Sequence, residues 1–529
     1  MTASLRIKIL DVLQWIGFAI ILVALPFSNF FISFGSFWLV GVWLLNLLNA
    51  HFTDRSARDY FKDFLQKKYY QAPALIFMLP VIGLLWTEDF KFGAWDLRTK
   101  LPLLFMPLLV ATLRPMSAKA LEGLLAVFVS ALAIAALLCI GVYFGFGKKP
   151  ILNIRDISIF ISHIRFSMLL VLGSAIIVLS WLKRGKWVVP GVILLLIYFS
   201  FMWLIESLTG ILLLLAIGFV LAYFFFSSRE NKILKWVLPS LLLVASVGGM
   251  IYVVSAFNKY FTAENLDRVH LEMNTPRGAV YTHYPENSML ENGHYIYYYI
   301  CWDELKEGWM KRSEIHFDSL DHKGNEVKWT LIRYITSKGM RKDLDGVNAL
   351  TDKDIEHIEG GIPSYLFYSQ SGITKRLNKV FFEYDNYRNG GSPNGHSVFQ
   401  RLEFWKTGLD IFSRNLWMGV GTGDLKKSFK EQYESNQTKL EEKNRLRAHN
   451  QFLTFFITYG IIGGLLFVVF FFYPLFYSEV RKNPYYIVLL AICAISFLTE
   501  DTLETQVGVT FYAFFHPFIL RFIKVDKEV

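Results

Sequence analysis

Eight side chains stand where chemistry is possible in this 529-residue sequence: His163, Arg165, Glu206, Arg401, His449, Asn450, Glu500 and Glu504. Nearly all lie at the end of an apolar run. SHIRFSML opens one run with His163 and Arg165, and another finishes at Glu206. RLRAHNQFLTFFITYGIIGGLLF sets His449 and Asn450 at the mouth of a third, and Glu500, Asp501 and Glu504 separate the last two runs. Arg401 begins the amphipathic stretch RLEFWKTGLDIF. Imidazole titrates near neutrality and can take a proton from a hydroxyl. Guanidinium stays charged and can hold two oxygens of an anion at once. Ionisable groups at membrane depth are costly, and they persist where partners or a wet cavity receive them.

The elements that position these groups are read from hydropathy. The chain is 53% hydrophobic and 17% aromatic, too apolar for an ordinary soluble domain. About twelve apolar runs are candidate membrane helices: 11–32, 34–50, 71–87, 99–113, 119–146, 158–181, 187–205, 208–227, 234–257, 450–477, 484–500 and 506–523. The fourth is short and carries Pro102 and Pro107. No small-residue cleavage site follows the first run, which reads as a retained span.

The net charge of +10 raises nucleic acid as a partner, but the positions of the cations argue against it. Arg6 and Lys8, then Arg55, Arg58, Lys62, Lys67 and Lys68, then Arg114 and Lys119 fall in every second loop. Lys183, Arg184 and Lys186, then Arg229, Lys232 and Lys235, then Arg481 and Lys482, then Arg521, Lys524 and Lys527 continue the alternation. This is the positive-inside pattern, with both termini cytoplasmic. It places His163, Arg165, Glu206, Arg401, His449, Glu500, Asp501 and Glu504 at the outer leaflet. Cys139 and Cys493 lie in spans, leaving Cys301 alone outside, so no intramolecular disulfide is expected.

The expected fold is an all-α polytopic membrane protein of about twelve transmembrane helices, with a large extracytoplasmic α/β loop domain between helices nine and ten. Residues 1–257 carry the first nine helices and 258–398 the inserted domain. Residues 399–449 form a membrane-surface amphipathic helix and loop, and 450–529 the last three helices with a cytoplasmic tail. In the insertion, YIYYYICW (295–302) and VKWTLIRYIT (327–336) read as strands. NGGSPNG (389–395) reads as a linker. Leu402, Trp405, Leu409 and Phe412 form an apolar stripe at helical spacing.

Each candidate has a plainer alternative. A charge at a span end often anchors by snorkelling, a weaker account of Arg165 with its apolar flanks. Glu500, Asp501 and Glu504 also fit a solvated acidic turn. GVGTGD (419–424) has glycines like a phosphate loop but no preceding strand; it reads as a helix break with Asp424 as N-cap. The pairs Asp343/Asp345 and Asp352/Asp354 have metal-binding spacing, but they read as solvated loop, and no metal or other cofactor is expected.

The run RLEFWKTGLDIFSRNLWMGVGTGDLKKSF, followed by RAHNQFLTFFITYGIIGGLLF, resembles the signature of the O-antigen ligase and O-antigen polymerase family. These are bacterial membrane glycosyltransferases of the GT-C type. The likeness is strong over about 399–470 and looser over the whole span layout, including SHIRF; the insertion at 277–380 departs from shorter members. The resemblance implies transfer of a glycan from an undecaprenyl diphosphate carrier to an acceptor hydroxyl at the periplasmic face of the inner membrane. It implies that Arg165 and Arg401 hold the diphosphate without a metal and that His449 is catalytic. His163, Glu206, Asn450, Glu500 and Glu504 would be supporting residues. The expected partners are a lipid-linked oligosaccharide, a glycolipid or glycan acceptor and the bilayer, with no nucleic acid. Lys406, Arg414, Lys426, Lys427 and Lys430 favour ligation to a phosphorylated lipid A-core. A polymerase, and then a protein O-oligosaccharyltransferase, stand behind that reading. A transporter would be expected to show repeated halves and mid-membrane charges. A scaffold would dispense with Arg401 and His449.

Overall fold

In the computed structural model, the described residues are 3–50, 61, 64–146, 154–182, 185, 187–205, 208–227, 232–267, 270–370 and 372–523. Glu206 lies outside them, as do Arg55, Arg58, Lys62, Lys183, Arg184, Lys186, Arg229, Lys524 and Lys527 of the basic loops. The chain divides into two compact units. One comprises Met1–Leu242, Phe404–Thr438 and Arg445–Val529, the other Leu243–Glu403 and Lys439–Asn444.

The first unit is a helical bundle. Its helices are α1 (Ala3–Ala24), α2 (Asn29–Ala50), α3 (Ala72–Ile82), α4 (Phe90–Lys100), α5 (Pro102–Thr112), α6 (Ala118–Tyr143), α7 (His163–Ile176), α8 (Val188–Leu204) and α9 (Leu208–Ser227). Then α10 (Lys232–Phe261) leads into the second unit. Six segments are long and apolar enough to cross a membrane: Ser4–Ala24, Asn29–Asn49, Lys68–Trp86, Ala118–Tyr143, His163–Leu182 and Gln451–Phe476. Val188–Leu204, Thr209–Phe224 and Pro484–Thr499 are apolar but shorter. The first two runs divide differently from the sequence reading. A turn at 25–28 ends α1 and starts α2, because Phe27 N and Ser28 N both bond back to Ala24 O. Eleven-residue α5 has Pro107 inside. At about 1.5 Å per residue it spans roughly half the hydrocarbon core.

The second unit is also mostly helical, which corrects the α/β expectation. VKWTLIRYIT lies in an α-helix, α11 (Val327–Ser337). Val327, Leu331, Tyr334 and Ile335 recur at helical spacing and are fully buried, so the period of burial overrides the β-propensity of individual residues. The strand content of YIYYYICW reduces to Tyr295, in a hairpin of β1 (Leu290–Glu291) with β2 (His294–Tyr295), and a bridge at Ile300. Trp309, Leu331, Ile335, Val347 and Ile358 make a separate core.

The Asp-x-Asp pairs lie at helix starts and not in loops: Asp343 and Asp354 are buried in capping contacts, while Asp345 and Asp352 face solvent. Asp343 accepts from Gly346 N (2.8 Å) and from Tyr281 Oη (2.5 Å). Thr351 and Asp354 form a capping box, and Asp354 also takes Tyr334 Oη (2.6 Å) and Lys338 Nζ (2.7 Å). Burial acts to raise Asp354, but the Lys338, Tyr334 and Thr351 donors prevail and bring it down to about 2.

Candidate active site

The chain reaches the site through α12 (Ser397–Arg414) and α13 (Leu425–Ser435), and returns through α14 (Gln451–Phe472), α15 (Pro484–Thr499) and α16 (Gln506–Phe522). Asn450, Asn483 and Thr505 cap the last three through their side chains. The Asn450 carboxamide accepts from Leu453 N (3.0 Å), so its part in the site is to start the helix behind His449.

One end of the first unit gathers the polar groups. His449 Nδ1 lies 3.2 Å from Glu500 Oε2, and the His449 amide donates to Asp501 Oδ2 at 3.0 Å. The other Asp501 oxygen takes Thr454 Oγ1 (2.6 Å). His449 adopts φ +47°, a left-handed backbone that costs an L-residue about 1 kcal/mol or more. Its ring lies nearly parallel to Phe404, with centroids 5.6 Å apart. The histidine side chain is 28% exposed and Glu500 only 12%, so the ring is clamped yet open on one side.

Arg165 enters from the first turn of α7. Its Nε is buried without a hydrogen-bond partner among the described residues, and the carboxylates of Glu500 and Asp501 lie within its electrostatic reach. His163 opens the same helix two residues earlier. Arg401 lies in the second unit, where its Nη1 donates to Ser397 O (3.2 Å).

Glu504 belongs to a charge network that the sequence reading missed. Lys100 Nζ sits 2.8 Å from Glu504 Oε1 and 2.5 Å from Asp96 Oδ1, with the lysine side chain 2% exposed. Arg447 Nη1 reaches Glu504 Oε2 at 2.9 Å. Gln451 Nε2 donates to Glu504 (3.3 Å) and its Oε1 accepts from Leu503 N (2.6 Å). Burial alone would raise Glu504, but Lys100 and Arg447 outweigh it and hold the carboxyl below the usual glutamate range. Burial would lower Arg447, but Glu504 and Asp501 raise it. The available signal was the Asp96–Lys100 pair at i, i+4 beside an apolar run.

The glycine turn supports this end. Val420 N bonds Ile457 O (3.0 Å), Gly421 N bonds Thr458 O (2.9 Å), and Ile461 N bonds Leu416 O (2.7 Å). These bonds splice the turn into a break in α14, where Gly460 has φ +67°. A Cβ on Gly460 would lie 2.1 Å from Trp417 O, and one on Gly419 (φ +69°) 2.4 Å from the Thr458 carbonyl. Asp424 occupies the N-cap position of α13 but makes no side-chain cap bond. Its carboxylate instead accepts from Glu88 N (2.8 Å) and Asp89 N (2.9 Å), fixing the start of the helix that carries Asp96 and Lys100.

The apolar stripe on α12 stays outward at Leu402 (40% exposed) and Leu409 (54%), while Phe404, Thr407 and Ile411 are buried. Among the flanking cations, Lys427 is engaged by Glu88 at 3.0 Å.

The bundle of long apolar helices makes this a membrane protein. Residues 361–468 match the model of a family described as O-antigen ligase. Its members are glycosyltransferase-like enzymes. The match spans Arg401, Phe404, the glycine turn, His449, Asn450 and the break in α14. Arg165, Glu500 and Glu504 fall outside it. No curated protein matches the chain.

Proposed function

We propose that this protein transfers a glycan from a polyprenyl (undecaprenyl) diphosphate to an acceptor hydroxyl at the outer face of the bacterial inner membrane. The observation that carries the reading is the His449–Glu500 contact inside an end of the bundle lined by family-matched residues. An ionised carboxylate only accepts, so Glu500 places the imidazole proton on Nδ1 and leaves the Nε2 lone pair free. Nε2 takes the acceptor O–H proton as that oxygen attacks C1 of the donor sugar. The C1–O bond breaks with its electrons passing to the diphosphate. Arg165 and Arg401 balance the developing charge, supplying what a divalent metal would otherwise supply. The buried Nε of Arg165 supports that role, since a phosphate oxygen would complete its bonding.

The favoured acceptor is a lipid A-core. The outward stripe of α12, with Lys406 and Arg414 on the same helix, supports a glycolipid held at the membrane surface. The test is the glycan profile of a strain lacking the gene. Full-length polymer stranded on the lipid carrier is the expected result. Core capped by a single repeat unit would instead assign polymerisation, and loss of glycan from proteins alone would assign protein glycosylation.

A further inference from the structure

Two clefts of the second unit have no part in the transfer chemistry above. The first, about 450 Å³, is lined by Phe261, Tyr295, Tyr384, Asp385 and Arg388 among others. The second, about 430 Å³, is lined by Tyr284, Glu286, Tyr297 and Trp329. Asn389 borders both, so they adjoin. Each volume falls in the range of about 300–1,000 Å³ typical of small-molecule sites.

The walls are aromatic faces rimmed by solvent-accessible polar groups. Tyr284 and Tyr297 pack against the core of this unit. Trp329 is 40% exposed and braced edge-on by Trp302, with centroids 5.5 Å apart. Asn389 is pinned as the divider, its Nδ2 donating to Asp385 O (2.8 Å) and its Oδ1 accepting from Ser288 Oγ (3.3 Å). By contrast, Glu286, Arg388 and the hydroxyls of Tyr284, Tyr297 and Tyr384 make no hydrogen bond among the described residues.

A pyranose is the ligand class this pairing suits. One face of the ring is a patch of C–H bonds that covers an aromatic face, and its edge is a row of hydroxyls. A carboxylate accepts from two neighbouring hydroxyls, and a guanidinium donates to two. An acyl chain in the same clefts would desolvate Glu286, Asp385 and Arg388 with no return. Charges of both signs also disfavour a polyanion. We propose that the insertion is a carbohydrate-binding module whose groove holds an oligosaccharide across Asn389. The inference does not depend on the transfer reaction.

The experiment uses the full-length protein in lipid nanodiscs, with titration calorimetry and saturation-transfer NMR. The probes are the neutral tetrasaccharides maltotetraose and chitotetraose. At least one tetrasaccharide is expected to bind saturably. Trp329→Ala and Arg388→Ala should each weaken that binding by about tenfold. Trp329→Tyr and His449→Ala should retain it, and unchanged thermal unfolding shows that each variant is folded. Absence of binding by every tetrasaccharide overturns the proposal, as does binding that survives both alanine variants. Binding of dodecyl maltoside without maltotetraose overturns it in favour of an acyl site. Binding lost in His449→Ala but kept in Trp329→Ala overturns it by placing the sugar at the transfer site.

Discussion

A histidine used as a base needs one nitrogen occupied and the other free, and in the proposed mechanism Glu500, 3.2 Å from Nδ1, occupies one nitrogen of His449. His449→Ala should lower transfer by about 10²–10⁴-fold while membrane expression is kept. Glu500→Gln should cost less, because an amide can still bond Nδ1 but no longer selects its tautomer or stabilises the imidazolium. Initial rates with a lipid-linked glycan check both. Arg165→Ala should weaken donor use, and Arg165→Lys should restore only part of it, since an ammonium lacks the planar fork. Elsewhere, Asp354 makes a pH-dependent contribution. Its folded pKa of about 2 lies below the roughly 3.9 of an unfolded aspartate, so its stabilisation is full above about pH 4 and lost as pH falls through 2. Denaturant titrations between pH 2 and 7 should show Asp354→Asn less stable at neutrality and lacking that acid-dependent component. At this scale the sequence revealed reactive types and hid partners. His449, Arg165 and Glu500 were legible because charges at span ends need a reason. Lys100 was not, since its partners Glu504 and Asp96 are 404 and 4 residues away, and only the first joins it to the site.

The glycine turn and the broken helix are one device. Gly419 and Gly460 approach so closely that neither accepts a Cβ, and both hold a left-handed backbone. Gly460→Ala should destabilise the bundle by about 1–3 kcal/mol or more and reduce transfer, as read from the unfolding midpoint and the rate together. Asp424 extends the device to α4, and Lys100 closes it on Glu504. Lys100→Ala would leave Asp96 and Glu504 buried without that cation, a loss of about 3–5 kcal/mol in a buried pair. An unfolding midpoint equal to that of the natural protein would remove the network from the account. Most helix positions were legible because apolar runs have one solution in a bilayer, but the turn at 25–28 was hidden inside the first apolar run. The strands assigned to the insertion failed because α11 is a short buried helix, in which β-branched residues pack as well as in a sheet. Caps such as Asn450 and Asn483 were visible only as residue types until the helix ends were known.

At the scale of the molecule, the first unit has two chemically distinct ends. Lys100, Glu504 and His449 meet at one, while Arg114 pairs with Asp11 (2.9 Å) and Asn483 bonds Ile523 O (3.2 Å) at the other. Helices α15 and α16 each run between these ends, so the separation follows from the helices themselves. The basic-loop alternation predicts twelve spans and cytoplasmic termini. Reporter fusions after Arg184 and Lys482 should therefore report the cytoplasm, and fusions within 280–380 the far side. A cytoplasmic signal from the insertion would put His449 at the wrong leaflet. The central claim is met most directly by reconstituting transfer. Purified protein, a polyprenyl-diphosphate-linked glycan and lipid A-core are combined with chelator present, and the natural protein is compared with His449→Ala. The account predicts ligated product from the natural protein, unaffected by chelator, and at least a hundredfold less from the variant. Equal product from both, or strict dependence on added Mg²⁺ or Mn²⁺, would contradict it.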